Sequence, residues 1–376
     1  MYQLAFIYYL VYFFLIAGVS FYSIRLFYTR NYLVNNKRTP RIILFIVLLL
    51  LIVFAASGDY WTYRKWYDTG FETEHYEPIW DTIRLLIPWS FDFFMLFLWG
   101  GALVLFTIMC RLHKSELLIA FPLFALFYMN NFSYARATIG YMLILYAYFL
   151  IIRIKRNHYH SWLILLPVIA CCLSIGFQMH RSMPLLLAIL AASFFLKPHK
   201  NIIIGLLIFF PVISLALNTI VFPYVMNFVA DDDDRLKYAE YYLADERGFN
   251  FFIRLILFIH LPFLLLYFVS FMNIIKKEKD AIVRKIAFVA FLIVYSAFLF
   301  YTIKEGNGLT LFYRTLNMAY PFMIMSVAYS TKYLNNHYKL TLIIVLYQAL
   351  FSLQAMLRII ISPDSLYKQV YERYIM

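Results

Sequence analysis

Charge is scarce in this chain: 14% of its 376 residues are Asp, Glu, Lys or Arg, 11 are glycine and three are cysteine. So few charges exclude a water-soluble fold of this length, whose surface calls for about a quarter of residues to be charged. The few glycines fall in none of the patterns of a phosphate-binding loop, a dinucleotide fingerprint or a nucleophile elbow. The cysteines are Cys110 and the adjacent Cys171 and Cys172. That spacing provides neither a disulfide framework nor a zinc site, and no metal or cofactor is expected.

What the chain has instead is apolar bulk. Apolar residues make up 64% of it and aromatic residues 21%, with a mean hydropathy of +0.74. The solvent for such a surface is lipid. The apolar runs are mostly near 20 residues long rather than alternating ten-residue segments, so the backbone satisfies itself in helices and not in a barrel. The expected fold is all-α: a polytopic transmembrane helical bundle forming one domain over 1–376, with about 12 spans. Hydropathy places them near 3–23, 42–56, 91–109, 117–130, 133–152, 161–178, 182–196, 202–222, 250–273, 286–303, 312–330 and 340–361. The first run continues to Tyr22 without a small-residue cleavage site and reads as a span, not a signal peptide. Pro122 and Pro184 are expected to interrupt the short fourth and seventh spans.

A net charge of +13 suggests nucleic acid in a soluble protein; here it reports orientation, and no nucleic-acid partner is expected. Nineteen Lys and Arg but only Glu116, Glu278 and Asp280 among the acids fall in the loops 24–41, 110–116, 153–160, 197–201, 274–285 and 331–339. By the positive-inside rule these loops are cytoplasmic and both termini lie outside. The remaining acids belong to the other side, which also holds the two long loops 57–90 and 223–249.

Loop 57–90 interleaves carboxylates and aromatics: Gly58, Asp59, Tyr60, Trp61, Tyr63, Arg64, Trp66, Tyr67 and Asp68, then Glu72, Glu74, His75, Tyr76, Glu77 and Trp80. Rings stack on the C–H face of a sugar, and carboxylates accept its hydroxyl hydrogen bonds or act as general base. An interfacial aromatic belt with solvated charges has the same composition. The run Asp231 to Asp234 lacks the glycine-punctuated calcium-loop pattern and reads as a solvated loop.

Arginines that topology does not need are more informative. Arg136, Arg181, Arg254, Arg314 and Arg358 each fall near the outer end of a span. Arg136 lies about 5–7 Å inside its helix, where an ionised side chain is costly enough to mark a functional site. The planar guanidinium binds two oxygens of a diphosphate at once and stays charged. Arg254 and Arg358 read as snorkelling to headgroups, and Arg136, Arg181 and Arg314 as an anion site. His180 stands beside Arg181 where the sixth span turns into the seventh. A lone membrane histidine is more often structural than catalytic, but this position on the outer face favours a role in the site.

The order Gly58, Asp59, Tyr60 with Tyr63 and Tyr67 after the second span, then Glu77, then Arg136 to Gly140 opening a span, then His180 with Ser182 at a helix turn, resembles the EpsG family, which belongs with the Wzy-type polysaccharide polymerases. The resemblance covers roughly 1–200, with Tyr313 and Arg314 as an echo in the second half. Ala137 and the Tyr60–Trp61 pair depart from the family's usual pattern. The resemblance implies a multi-pass protein of the bacterial cytoplasmic membrane. It would polymerise exopolysaccharide, capsule or O antigen by moving glycan from undecaprenyl diphosphate onto an undecaprenyl-diphosphate-linked oligosaccharide. Membrane lipid, a chain-length regulator and a flippase are the implied partners. Asp59, Glu77, Arg136 and His180 are the implied catalytic residues; Arg64, Arg181, Tyr313 and Arg314 would bind substrate and diphosphate. Two other readings stand beside it. One is a GT-C-like transferase that uses a polyprenyl-phosphate sugar; the other is a transporter or flippase of lipid-linked sugars, which would need polar residues at mid-span. The spans look almost uninterruptedly apolar there.

Overall fold

The computed structural model describes residues 2–28, 38–54, 60–70, 79–129, 135–154, 162–180, 182–221, 246–303 and 308–333, and all regular structure among them is helical. The helices are α1 Tyr2–Tyr28, α2 Arg38–Phe54, α3 Tyr60–Thr69, α4 Ile79–Leu86, α5 Phe91–His113, α6 Leu117–Phe124, α7 Ala135–Ile154, α8 Trp162–Met179, α9 Met183–Phe195, α10 Lys200–Ala216, α11 Glu246–Lys277, α12 Ala281–Tyr301 and α13 Gly308–Ser330. Each segment predicted from 3–23 to 312–330 falls on one of them; 340–361 lies outside the described residues. Four stretches are long and apolar enough to cross a membrane, Phe91–His113, Ala137–Ile154, Lys200–Val221 and Ala281–Tyr301, and several others are shorter apolar helices. The protein is a helical membrane protein, and the count of twelve rests on hydropathy.

Local chemistry sets the helix ends. Ser90 caps α5 by accepting from the Phe93 amide at 3.3 Å, and Asp92 stands in its first turn, where the helix dipole favours an acid. The same helix closes on Lys114 in the left-handed region, φ 64°, with Arg111 and His113 in its last turn. Glu116 caps α6 and is clamped by Arg41 of α2 at 2.8 and 3.0 Å.

Proline behaves differently at its two expected interruptions. Pro184 is the second residue of α9, where a missing amide hydrogen costs nothing, so it opens that helix instead of breaking it. Pro122 lies inside α6 and leaves the Leu118 carbonyl without its usual donor. The Ser23 hydroxyl of α1 donates to that carbonyl at 2.5 Å. This is how a lipid-solvated helix tolerates proline. A π-helical turn, Ala125–Met129, continues α6.

The chain forms two compact units, Met1–Pro184 with Ile324–Met376, and Leu185–Met323. In the first, α7 and α8 pack most closely, around Ala147, Leu150, Ile169 and Cys172. At one end of that seam two glycines meet. A Cβ on Gly176 would lie 3.0 Å from the Gly140 carbonyl oxygen and 2.8 Å from Ile144 Cγ1; one on Gly140 would lie 2.8 Å from Met179 Cβ. Small residues replace the missing hydrophobic drive between helices in lipid by letting the backbones touch.

The contacts of this unit sort its turns onto two sides, as alternating spans require. Arg41, Glu116 and the end of α13 gather on one side: the His113 ring bonds Ser115 Oγ at 2.7 Å, and that hydroxyl donates to the Met325 carbonyl at 2.9 Å. The 57–90 loop and the α8–α9 turn gather on the other. The second unit sorts likewise. Arg284 donates to the Pro198 carbonyl at 2.8 Å and Lys285 to the Leu196 carbonyl at 2.9 Å at one end. Ser214 bonds Thr302 at 2.6 Å at the other end. Along α10 the side chains of Leu207, Ile208, Phe209, Val212 and Leu215 are exposed, as a lipid-facing helix requires.

Candidate functional site

Two short helices of the 57–90 loop are folded down onto the head of α5. α3 ends at Gly70, whose φ of +92° is the left-handed conformation that stops a helix at little cost only in glycine. Tyr67, one turn earlier, packs its ring on Phe91 and Phe94 and donates its hydroxyl to the Ile87 carbonyl at 2.5 Å. Desolvation raises the phenol pKa above its ordinary value, the Arg84 guanidinium pulling the other way and the Asp68 carboxylate adding to the rise. The hydroxyl therefore stays a donor throughout the physiological range. On α4, Arg84 pairs with Asp81 at 3.1 Å and donates to the Tyr67 carbonyl at 3.4 Å, tying α3 to α4.

Trp80 carries this assembly to the far side of the site. Its side chain is wholly buried, its ring meets Phe94 edge-on, and its indole N–H donates 3.2 Å to the Met179 carbonyl. That carbonyl belongs to the last turn of α8, where helix acceptors lack partners of their own. His180 follows at once. The Ser182 amide donates to His180 Nδ1 at 3.1 Å, Ser182 Oγ lies 2.8 Å from the same nitrogen, and the Met183 amide donates to the His180 carbonyl at 3.0 Å. Nδ1 is thus an acceptor, which assigns the neutral ring's hydrogen to Nε2.

Arg136 is the second residue of α7, one turn before Gly140, and Gly140 packs against Met179 and Met183 on either side of His180. The structure therefore brings the start of α7, the His180 turn and the 57–90 loop to one end of the first unit. Arg64, on α3, is half-exposed and lies 3.9 Å from Asp68. Such surface pairs are worth about 0.3–0.5 kcal/mol and exchange partners readily. Asp59, Glu77, Arg181, Arg358 and the Asp231 to Asp234 run lie outside the described residues, as do the side chains of Arg136 and Arg254.

Tyr313 and Arg314 belong to the second unit, in the second turn of α13, and both are half-buried. Beside them is a feature that the apolar reading of the spans passed over. His260, buried in α11, bonds the Tyr320 hydroxyl through Nδ1 at 2.7 Å, and its ring also lies against Tyr313, with centroids 6.1 Å apart. The signal was a single histidine in a 24-residue apolar segment. Trp80 was likewise visible in the sequence as one aromatic among many, and nothing local marked it as the anchor.

Trp80→Phe keeps the ring contact with Phe94 and removes only the indole donor. It is expected to cost about 1 kcal/mol and to shorten the glycan made at unchanged membrane abundance. An unchanged length distribution would show that this bond does not position the His180 turn.

A family model described as the EpsG family matches residues 38–372. The match extends well past residue 200 into the second unit and takes in every candidate site residue. No curated protein matches the chain, and no solved structure does.

Proposed function

The chain belongs to the EpsG family of Wzy-type polysaccharide polymerases, and from that premise we propose that it extends a bacterial surface glycan at the outer face of the cytoplasmic membrane, with both termini outside. The donor is a glycan on undecaprenyl diphosphate; the acceptor is the sugar end of another lipid-linked repeat unit. The observation that carries this reading is the anchoring of the carboxylate-bearing 57–90 loop, through Trp80, to the turn that holds His180 at the Arg136 end of α7. Helices α3 and α4 of that loop stand at the same end of the first unit as the start of α7 and His180, an arrangement that supports chemistry at a face over passage across it.

In this mechanism the acceptor hydroxyl oxygen forms a bond to the donor's anomeric carbon. The bond from that carbon to the diphosphate oxygen breaks, and its electron pair leaves with undecaprenyl diphosphate. Arg136, Arg181 and Arg314 neutralise the charge that develops on the leaving group. Arg136 has a further advantage at the head of α7, where the unpaired amides of the first turn also favour an anion. Arg64 is free to exchange Asp68 for substrate, and Tyr313 contributes a ring and a hydroxyl beside Arg314.

The proton of the acceptor hydroxyl goes to a carboxylate, Asp59 or Glu77. His180 has its Nδ1 committed to the Ser182 amide and presents Nε2–H, which suits it to donate to a diphosphate oxygen and not to remove a proton. His180→Gln, which can still donate, is therefore expected to retain more activity than His180→Ala, which loses on the order of 10²-fold. Equal loss in both variants would return the imidazole to the role of base.

The test of the function as a whole is the length distribution of lipid-linked and surface glycan in a strain lacking the protein. Accumulation of single complete repeat units is the expected result. A repeat unit short of one sugar would identify a GT-C-like transferase instead, and unchanged long glycan would end both readings.

A further inference from the structure

The described part of α11 buries one imidazole, and it meets two tyrosines of α13. His260 Nδ1 meets the Tyr320 hydroxyl at 2.7 Å, and its ring meets those of Tyr320 and Tyr313, with centroids 5.7 and 6.1 Å apart. Tyr313 and Tyr320 are seven residues apart, two helical turns, and so lie on one face of α13. Phe263, one turn along α11 from His260, closes on Tyr320 from the same direction. A polar pair within a lipid-solvated seam is costly to keep unless something depends on it, which makes an intramembrane histidine a functional question by default.

Arg314 is the next residue after Tyr313, displaced about 100° around α13. We propose that His260 and Tyr320 are positioning residues: their hydrogen bond fixes the rotation of α13 about its axis and thereby aims Arg314 at the diphosphate of the lipid-linked substrate. This rests on the reading of Arg314 given above. The geometry explains why apolar packing alone is a poor substitute. A Phe–Tyr contact tolerates sliding and turning of one helix on the other, whereas a 2.7 Å hydrogen bond is lost within a few tenths of an ångström. A guanidinium reaches about 9 Å from its helix axis, so a rotation of roughly 10° moves it about 1.5 Å, and displacements near 1 Å at a reacting centre cost on the order of 10² in rate.

The experiment compares His260→Phe, Tyr320→Phe, Arg314→Ala and the doubles that combine Arg314→Ala with each of the first two. Each is assayed at matched membrane abundance by the polymerisation rate and by the dependence of that rate on lipid-linked repeat unit. His260→Phe and Tyr320→Phe are each expected to lower kcat at least tenfold with KM for the acceptor little changed, and neither is expected to lower the rate further once Arg314 is alanine. His260→Gln, which can still bond the Tyr320 hydroxyl, is expected to recover part of the rate.

Losses that multiply with that of Arg314→Ala would overturn the proposal, since His260 would then act by another route. So would wild-type rates in His260→Phe and Tyr320→Phe beside an inactive Arg314→Ala, and that outcome leaves the diphosphate role of Arg314 standing. A wild-type rate in Arg314→Ala removes that role and this proposal together. If His260→Phe fails to accumulate, Tyr320→Phe, which deletes a single oxygen, carries the same comparison.

Discussion

Replacing Arg136 with alanine is expected to stop chain growth while leaving the protein in the membrane at wild-type amount or slightly above. Arg136 is the second residue of α7, the positive end of the helix dipole, where a cation opposes folding by about 0.3–1 kcal/mol. Deleting it therefore relieves the helix. A guanidinium that opposes the dipole of its own helix needs another reason to be there, and the proposed leaving diphosphate would supply it. Loss of one such group from a low-dielectric site costs on the order of 10²–10³ in rate, enough to turn long glycan into accumulated single repeat units. Arg136→Lys is expected to fall between the two, because it keeps the charge and loses the fork that binds two oxygens together. The measurement is glycan length by gel beside immunoblotted membrane abundance; disappearance of the protein from the membrane in Arg136→Ala would assign the arginine to folding instead.

The second large effect is expected at the glycine seam of α7 and α8. A Cβ on Gly176 meets a backbone atom, the Gly140 carbonyl oxygen at 3.0 Å, and the branched Ile144 side chain at 2.8 Å. Neither retreats without spreading the helices. Gly140 is confined in the same way: Met183 Cε is the far end of a flexible chain, but a Cβ would also lie 2.8 Å from Met179 Cβ and 3.3 Å from the Gly176 carbonyl oxygen. Overpacking of this kind costs about 1–3 kcal/mol, against about 1 kcal/mol gained when alanine replaces glycine in a helix. Gly140→Ala and Gly176→Ala are thus both expected to be destabilising, and Gly176→Leu to abolish folded protein. Because α8 ends at Met179 and hands the chain directly to His180, Gly176→Ala is also expected to lower activity by more than it lowers abundance. Thermal aggregation midpoints in detergent, measured beside glycan length, separate the two effects. Gly176→Leu melting at the wild-type temperature would mean that the helices do not touch here.

Much of this was legible in the residue order. The apolar segments predicted helices where α1, α2 and α5 to α13 stand, whereas α3 and α4, rich in polar residues, were read as loop; the excess of lysine and arginine in alternate loops predicted which turns share a side. The contacts of Arg41 with Glu116, of Ser115 with the Met325 carbonyl and of Trp80 with the Met179 carbonyl agree with that sorting. Pro184 was misjudged because position within a helix decides what a proline does: the expected span 182–196 already put it in the first turn, where a proline opens a helix and does not interrupt it. The carboxylate and arginine candidates came from residue type and depth alone. Their mutual placement did not.

What the sequence by itself determined is the solvent and the apolar helices, since each is written in neighbouring residues: a run of twenty apolar side chains, a cap before its first turn. What only the tertiary structure decided is partnership. Trp80 finds a carbonyl 99 positions away, Ser23 the carbonyl that Pro122 leaves open 95 positions away, and Tyr320 the imidazole of His260 across 60. Hydropathy carries no information on the rotation of one helix against another, and a rotation of a few tens of degrees exchanges every partner along the seam. In lipid, where apolar faces have no preference for each other over acyl chains, that rotation is set by glycine contacts and single hydrogen bonds between residues far apart in the chain.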